Sequence, residues 1–200
     1  MTVQPRRSMI KLLTRSRIIP QVESRVQLQH VLRTSACKVI ILRHCNLLEL
    51  APLLVQAYSR QYAVYVNIDH VEGLHPDAAG LQYLADQLSV AGIISANPKT
   101  LALARSYGLE TVLRIFAADS TGLESALEMI DVTTVDLFDV APALAIPYID
   151  PPLTSVLPLP FIGSGLISTG DQVQAVLSAG ASGVMLTPHD FGSEARAGIN

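Results

Sequence analysis

The residues best suited to hold a small anion gather in the last fifth of the chain. An apolar run ending at Ile162 leads into the turn Gly163-Ser164-Gly165, and Ser168-Thr169 then open a helix with Val173, Val176 and Leu177 on one face. Ala179-Gly180 stop that helix, and a second apolar run ends at Thr187. Strand, glycine turn, helix and strand make a βαβ unit with parallel strands. Such a turn leaves backbone N–H groups to converge on an anion, with the hydroxyls of Ser164 and Thr187 beside them.

Other polar residues follow apolar runs in the same manner. These are His44 and Cys45; Asp69, His70, Glu72 and His75; Ser95 and Asn97; Asp119; Asp139; and His189 with Asp190. Arg114 lies between Leu113 and Ile115, so it is directed either inward or toward a surface acid. If buried, it needs an anionic partner: Asp69, Asp139 or a ligand phosphate. No HxH, HExxH or CxxC spacing supports a metal site. Beyond Lys38, which starts a strand, no lysine lies within one, which leaves no Schiff-base candidate. A phosphate cup without evident chemistry points to sensing.

Eight strands must position these groups. They are expected at residues 17–22, 38–43, 62–69, 92–95, 110–117, 134–140, 159–162 and 183–187. Helices are expected at 24–34, 47–60, 77–88, 98–108 and 120–130, with partial helix at 143–149. Eight alternating units predict a small TIM-like (β/α)8 barrel with its last helix short or missing. An open doubly wound sheet would need only about five units. In a barrel the polar residues after each strand share one rim, and a phosphate site is often built after strands seven and eight.

Composition narrows the class. The 200 residues are 50% hydrophobic, enough for one sizeable core. Apolar runs are broken well short of the roughly 20 residues of a membrane helix. Two unpaired-looking cysteines, Cys37 and Cys45, and no secretory signal suit a reducing cytoplasm. Arg6, Arg7, Lys11, Arg15 and Arg17 precede any acid, leaving nine basic against 17 acidic residues elsewhere. A basic arm over residues 1–17, followed by an acidic domain over 18–200, suggests nucleic-acid binding.

Taken together, Asn67–Leu74 (NIDHVEGL), Gly92–Ser95 (GIIS), Leu113–Asp119 (LRIFAAD), Val135–Leu144 (VDLFDVAPAL), Ile162–Thr169 (IGSGLIST) and Ala179–Val184 (AGASGV) resemble the glycerol-uptake operon antiterminators. The resemblance runs from about Ile18 to His189. It implies a barrel that binds glycerol 3-phosphate and leader mRNA, preventing transcription termination, without a cofactor. By position, Asp69, Ser95, Arg114, Asp119, Asp139, Gly165 and Thr187 match the family's motifs. The chain departs from them at His70, Ala96-Asn97, Leu113, Ala141-Pro142-Ala143, Ser164 and Leu186-Thr187-Pro188.

The resulting expectation is a ligand-responsive regulator rather than an enzyme. Amides around Ser164, Gly165 and Leu166, with Thr187, would hold the phosphate of glycerol 3-phosphate or a similar small ester. Asp69 and Asp139 would meet the glycerol hydroxyls, and Arg114 would bridge these carboxylates or approach the phosphate. Ser95 completes the candidate ligand set. Leader mRNA would meet Arg6, Arg7, Lys11, Arg15 and Arg17, with Arg25 and Arg33 as extensions. No membrane partner is expected, and a homodimer is left open. The alternative is a barrel isomerase, aldolase or phosphodiesterase using Asp69, His70 and Glu72 as acid–base groups.

Overall fold

The computed structural model describes residues 8–117, Leu123 and residues 130–187. Eight parallel strands close into a barrel: β1 (Ile18–Val22), β2 (Val39–Leu42), β3 (Ala63–Asn67), β4 (Gly92–Ser95), β5 (Glu110–Phe116), β6 (Leu137–Ala141), β7 (Phe161–Ser164) and β8 (Gly183–Leu186). Each pairs with its sequence neighbours, and β8 returns to β1 through Ile18 opposite Val184 and Ile19 opposite Met185. This is the expected TIM-like (β/α)8 fold.

Local sequence explains the outer helices. In α2 (Arg25–Thr34) the Ser24 hydroxyl caps the helix by accepting from the Gln27 amide. Asn46 does the same for α3 (Leu47–Tyr58), and Asn97 with Pro98 starts α5 (Pro98–Ser106). The unit between β3 and β4 carries α4 (Ala78–Gln82), continued by a π-helical turn over Tyr83–Gln87. A four-residue α6 (Leu153–Val156) precedes β7. Thr169 and Gln172 form a reciprocal capping box at the start of α7 (Gly170–Ser178). The helix expected at 120–130 lies, apart from Leu123 and Ile130, outside the described residues.

Alternation along the strands divides the core in two. Outward residues such as Val22, Ile40, Val66, Ile93, Leu113 and Val140 pack under the helices. Inward residues Ile19, Ile41, Tyr65, Ile94, Val112, Leu137, Ile162 and Met185 fill the barrel. Gly92 faces inward because a Cβ there would meet the Tyr65 ring at 2.7 Å.

Two sequence expectations are corrected. Residues 132–134 form a 3₁₀ turn rather than the start of β6, because the Asp131 carboxylate accepts from the Thr133 amide and hydroxyl and curls the chain. From Ser8 onward, the basic N-terminal segment is no detached arm. Its short helix α1 (Met9–Leu12) inserts Met9 under the barrel, and Leu13 follows it into the same inner cluster. Leu13 lies four positions after Met9, so the two fall on one face. The Met9 amide donates to the buried Glu110 carboxylate at 2.8 Å, and the Tyr65 hydroxyl donates to the same oxygen. Arg17 donates to the carbonyls of Ala181 and Ser182. Residues 8–17 thus floor the barrel.

Burial raises the carboxyl pKa of Glu110 against the opposing effect of its hydrogen bonds. A raised acid stabilises the fold most below its unfolded value of about 4.3 and loses that contribution as pH rises through its folded value. Urea unfolding of the wild type and Glu110→Gln across this range should show the wild type's relative stability falling as pH rises. A difference independent of pH would overturn this account of the floor.

Candidate functional site

The inward positions turn polar at the C-terminal end of the barrel. Two residues beyond seven of the eight apolar inward residues come Gln21, Arg43, Asn67, Arg114, Asp139, Ser164 and Thr187, the exception being Ala96 beyond Ile94. A cavity of about 410 Å³ opens there, lined by Gln21, Arg43, Arg114, Phe116, Ala141, Pro142, Ser164, Gly165, Met185 and Thr187. It lies where the expected phosphate cup was placed, above β7 and β8.

Register fixes the central ion pair. Arg114 on β5 stands opposite Asp139 on β6, and both point inward because their neighbours Leu113, Ile115, Phe138 and Val140 face the helices. The Arg114 Nε and Nη2 donate to one oxygen of Asp139, Oδ2, at 2.7 and 2.6 Å. The Arg114 and Asp139 side chains are 8% and 0% exposed, respectively. Asp139 Oδ1 is left buried without a partner, as are Asn67 Oδ1 and Arg43 Nε. Three unmet polar atoms at one end of an otherwise apolar barrel call for a polar ligand or water.

Arg43 gives the mouth a second guanidinium. Burial lowers its pKa, and repulsion from Arg114 adds to the effect, opposed by Glu23 and Asp139. Two cations facing one buried carboxylate leave positive charge, which an anion in the cavity would balance. On the cup side, Gly165 has φ +88° and Leu166 has φ +60°. Glycine adopts this left-handed geometry freely, whereas Leu166, 70% exposed, holds it at a cost of about 1–2 kcal/mol.

The structure brings Arg114, Ser164, Gly165 and Thr187 to the cavity, with Asp139 paired to Arg114. Asp69 and Ser95 form a separate cluster. The carboxylate of Asp69 accepts from the Ser95 hydroxyl and the Ala96 amide, both at 2.7 Å, and the Ser95 oxygen accepts from the Asn97 amide. That clasp ties the β3 end to the β4 end. Leu166 follows the cup but does not line the cavity. Arg6, Arg7, Asp119, His189 and Asp190 lie outside the described residues.

Among the rim histidines, the His44 and His70 rings meet at a tilt of 56° with centroids 4.6 Å apart, and His44 approaches Glu23 at 4.0 Å. Burial lowers the His70 pKa, helped by Arg43, His44 and Arg114, which favours its neutral form. Burial pushes the Cys45 thiol up to about 11, so it is no nucleophile near neutral pH. Among the described residues, no three His, Cys, Asp or Glu side chains gather closely enough to hold a metal.

Gln21, Arg43 and Asn67 escaped the sequence reading. Period-two spacing from Ile19, Ile41 and Tyr65 was the signal that would have found them. Removing the carboxylate in Asp139→Ala should cost about 3–5 kcal/mol in urea unfolding, because it strands the Arg114 charge. A loss below about 1 kcal/mol would mean that water already screens the pair.

A model of the glycerol-3-phosphate responsive antiterminators matches residues 18–191. The structure is similar to that of the glycerol uptake operon antiterminator regulatory protein from Listeria monocytogenes, with TM-score 0.77 and 24% identity over 85% of this chain and 90% of that one. It is also similar to a glycerol uptake operon antiterminator-related protein from Thermotoga maritima, with TM-score 0.74 and 25% identity over 84% and 93% of the two chains. The uncharacterized protein YgcP of Escherichia coli is 21% identical over 90% of this chain and 93% of its own. Matched along nearly all of its barrel, the chain belongs to the glycerol-3-phosphate responsive antiterminator family.

Proposed function

We propose that this protein binds glycerol 3-phosphate at the barrel mouth and uses that binding to control its grip on leader mRNA, preventing transcription termination in glycerol-uptake genes. The observation that carries the ligand reading is the cavity with Arg43 and Arg114 on one side and Ser164, Gly165 and Thr187 on the other. A phosphate monoester supplies the negative charge this arrangement lacks, and guanidinium groups match its geometry. Its hydroxyls would meet the unpartnered oxygens of Asn67 and Asp139.

Asp69 serves better as a structural clasp than as a ligand group or catalytic base, since both its oxygens already hold the β4 turn. This supports the regulator reading over the enzyme. Control of RNA by the ligand requires two states that differ in affinity for both partners.

Calorimetry with glycerol 3-phosphate, glycerol and inorganic phosphate tests the ligand reading. Selective binding of the ester without turnover is expected. At about 100 times Kd it should add roughly 2.7 kcal/mol of stability. Arg43→Ala should weaken binding about 10- to 100-fold, the worth of a hydrogen bond to a charged group. Equal binding of inorganic phosphate, or none of the ester, would overturn the assignment.

A further inference from the structure

We infer that the RNA-binding surface is the floor of the barrel beneath β1, β2 and β3, at the opposite end from the ligand cavity, and that it includes Lys38 and Arg60. This rests on the reading of the chain as an RNA-binding regulator and goes beyond it by locating the surface. Six exposed cations serve this part of the floor: Lys11, Arg15, Arg17, Arg33, Lys38 and Arg60. Topology makes them neighbours. Arg17 precedes β1, Arg33 and Lys38 flank the connection into β2, and Arg60 lies in the connection into β3. These strands are adjacent in the ring, and α1 closes the same end of the barrel, with Met9 on Glu110 and Leu13 beside Gly183.

Charge is sorted along the barrel axis. The described floor segments 8–17, 33–38 and 59–62 contain no acid. The mouth ends of the same three units carry five acids, Glu23, Glu49, Asp69, Glu72 and Asp77, against two cations, Arg25 and Arg43. At the floor, Glu110 is buried, Asp86 near the end of the helix into β4 accepts from the Gln82 amide at 3.2 Å, and Asp131 and Asp136 precede β6, across the ring from β2. Asp136 is further paired with Arg105 at 2.8 Å. The helix dipole accounts for Arg33 in the last turn of α2, but not for Lys38 and Arg60, which lie outside helices.

Several of the cations are held in place. The Lys38 ammonium donates to the Arg60 carbonyl at 3.3 Å and sits 4.5 Å from the Tyr62 ring centroid. Arg17 is fixed by the carbonyls of Ala181 and Ser182. A preordered row of cations lowers the entropy cost of meeting a polyanion. In a chain with net charge −3, membership of an antiterminator family favours an RNA backbone as that polyanion.

The test compares two charge-matched variants, each lowering the net charge by two: Lys38→Gln/Arg60→Gln at the floor and Lys99→Glu at the mouth end. Binding of a random-sequence RNA pool of uniform length is followed over a salt series, after thermal unfolding has shown both variants folded. The floor double should bind more weakly and lose about 1.4 from the slope of log K against log salt, at about 0.7 per lost contact to a single strand. The mouth variant should match the wild type. The charge-retaining Lys38→Arg/Arg60→Lys should keep wild-type binding, separating charge from fold. Equal losses in both variants, or none at the floor, would overturn the placement alone. Polyglutamate binding with the same affinity and slope would overturn RNA in favour of an acidic protein. Failure of the wild type to retain RNA at any salt would remove the RNA reading and this surface with it, leaving the ligand reading to its own calorimetry.

Discussion

A guanidinium buried among apolar residues has to find an anion, and the register of this barrel supplies one. Arg114 and Asp139 face each other on neighbouring strands, both inward and nearly sealed from water. Breaking such a pair is costly, so it ties β5 to β6 and sets the depth of the cavity. The pairing is also incomplete: both Arg114 nitrogens use one carboxylate oxygen. Together with Arg43 it leaves a mouth polar enough to receive a ligand and positive enough to select an anion.

The two ends of the barrel divide the work. Apolar layers between Ile19 and Met185 separate a mouth with guanidinium groups and a left-handed glycine turn from a floor closed by α1. Rigidity in the middle suits a scaffold, while any coupling between ends must pass along packed strands. The floor helix α1 touches both the inner cluster and Glu110. It is the element best placed to register a small shift of the strands.

Much of this was legible in the residues. Apolar runs with helix caps between them announced eight strands, but of the expected turn Gly163-Ser164-Gly165 the first two residues lie within β7, and Gly163 faces Ala143, Ile146 and Val176 rather than the cavity. Less legible was which way a strand residue points. Arg114 allowed two directions until the register placed Leu113 and Ile115 under the helices. Arg43 and Asn67 lay hidden at strand ends because attention fell on residues beyond the strands. Asp69 and Ser95 matched family motifs, yet their mutual hydrogen bond depends on a lateral pairing that linear order does not display. The N-terminal segment misled for a plainer reason. Its charges suggest a solvated arm, while its Met9–Leu13 face is as apolar as any core helix.

The pairing of β8 with β1 has a consequence for the timing of synthesis. Ile18 meets Val184 across most of the chain, and Met9 reaches Glu110. The Met9 contact waits for the fifth strand, and barrel closure waits for the eighth. The early strands must wait with their inner faces unpartnered. Because Thr187 belongs to the cavity, no nascent fragment lacking the eighth strand carries a finished mouth.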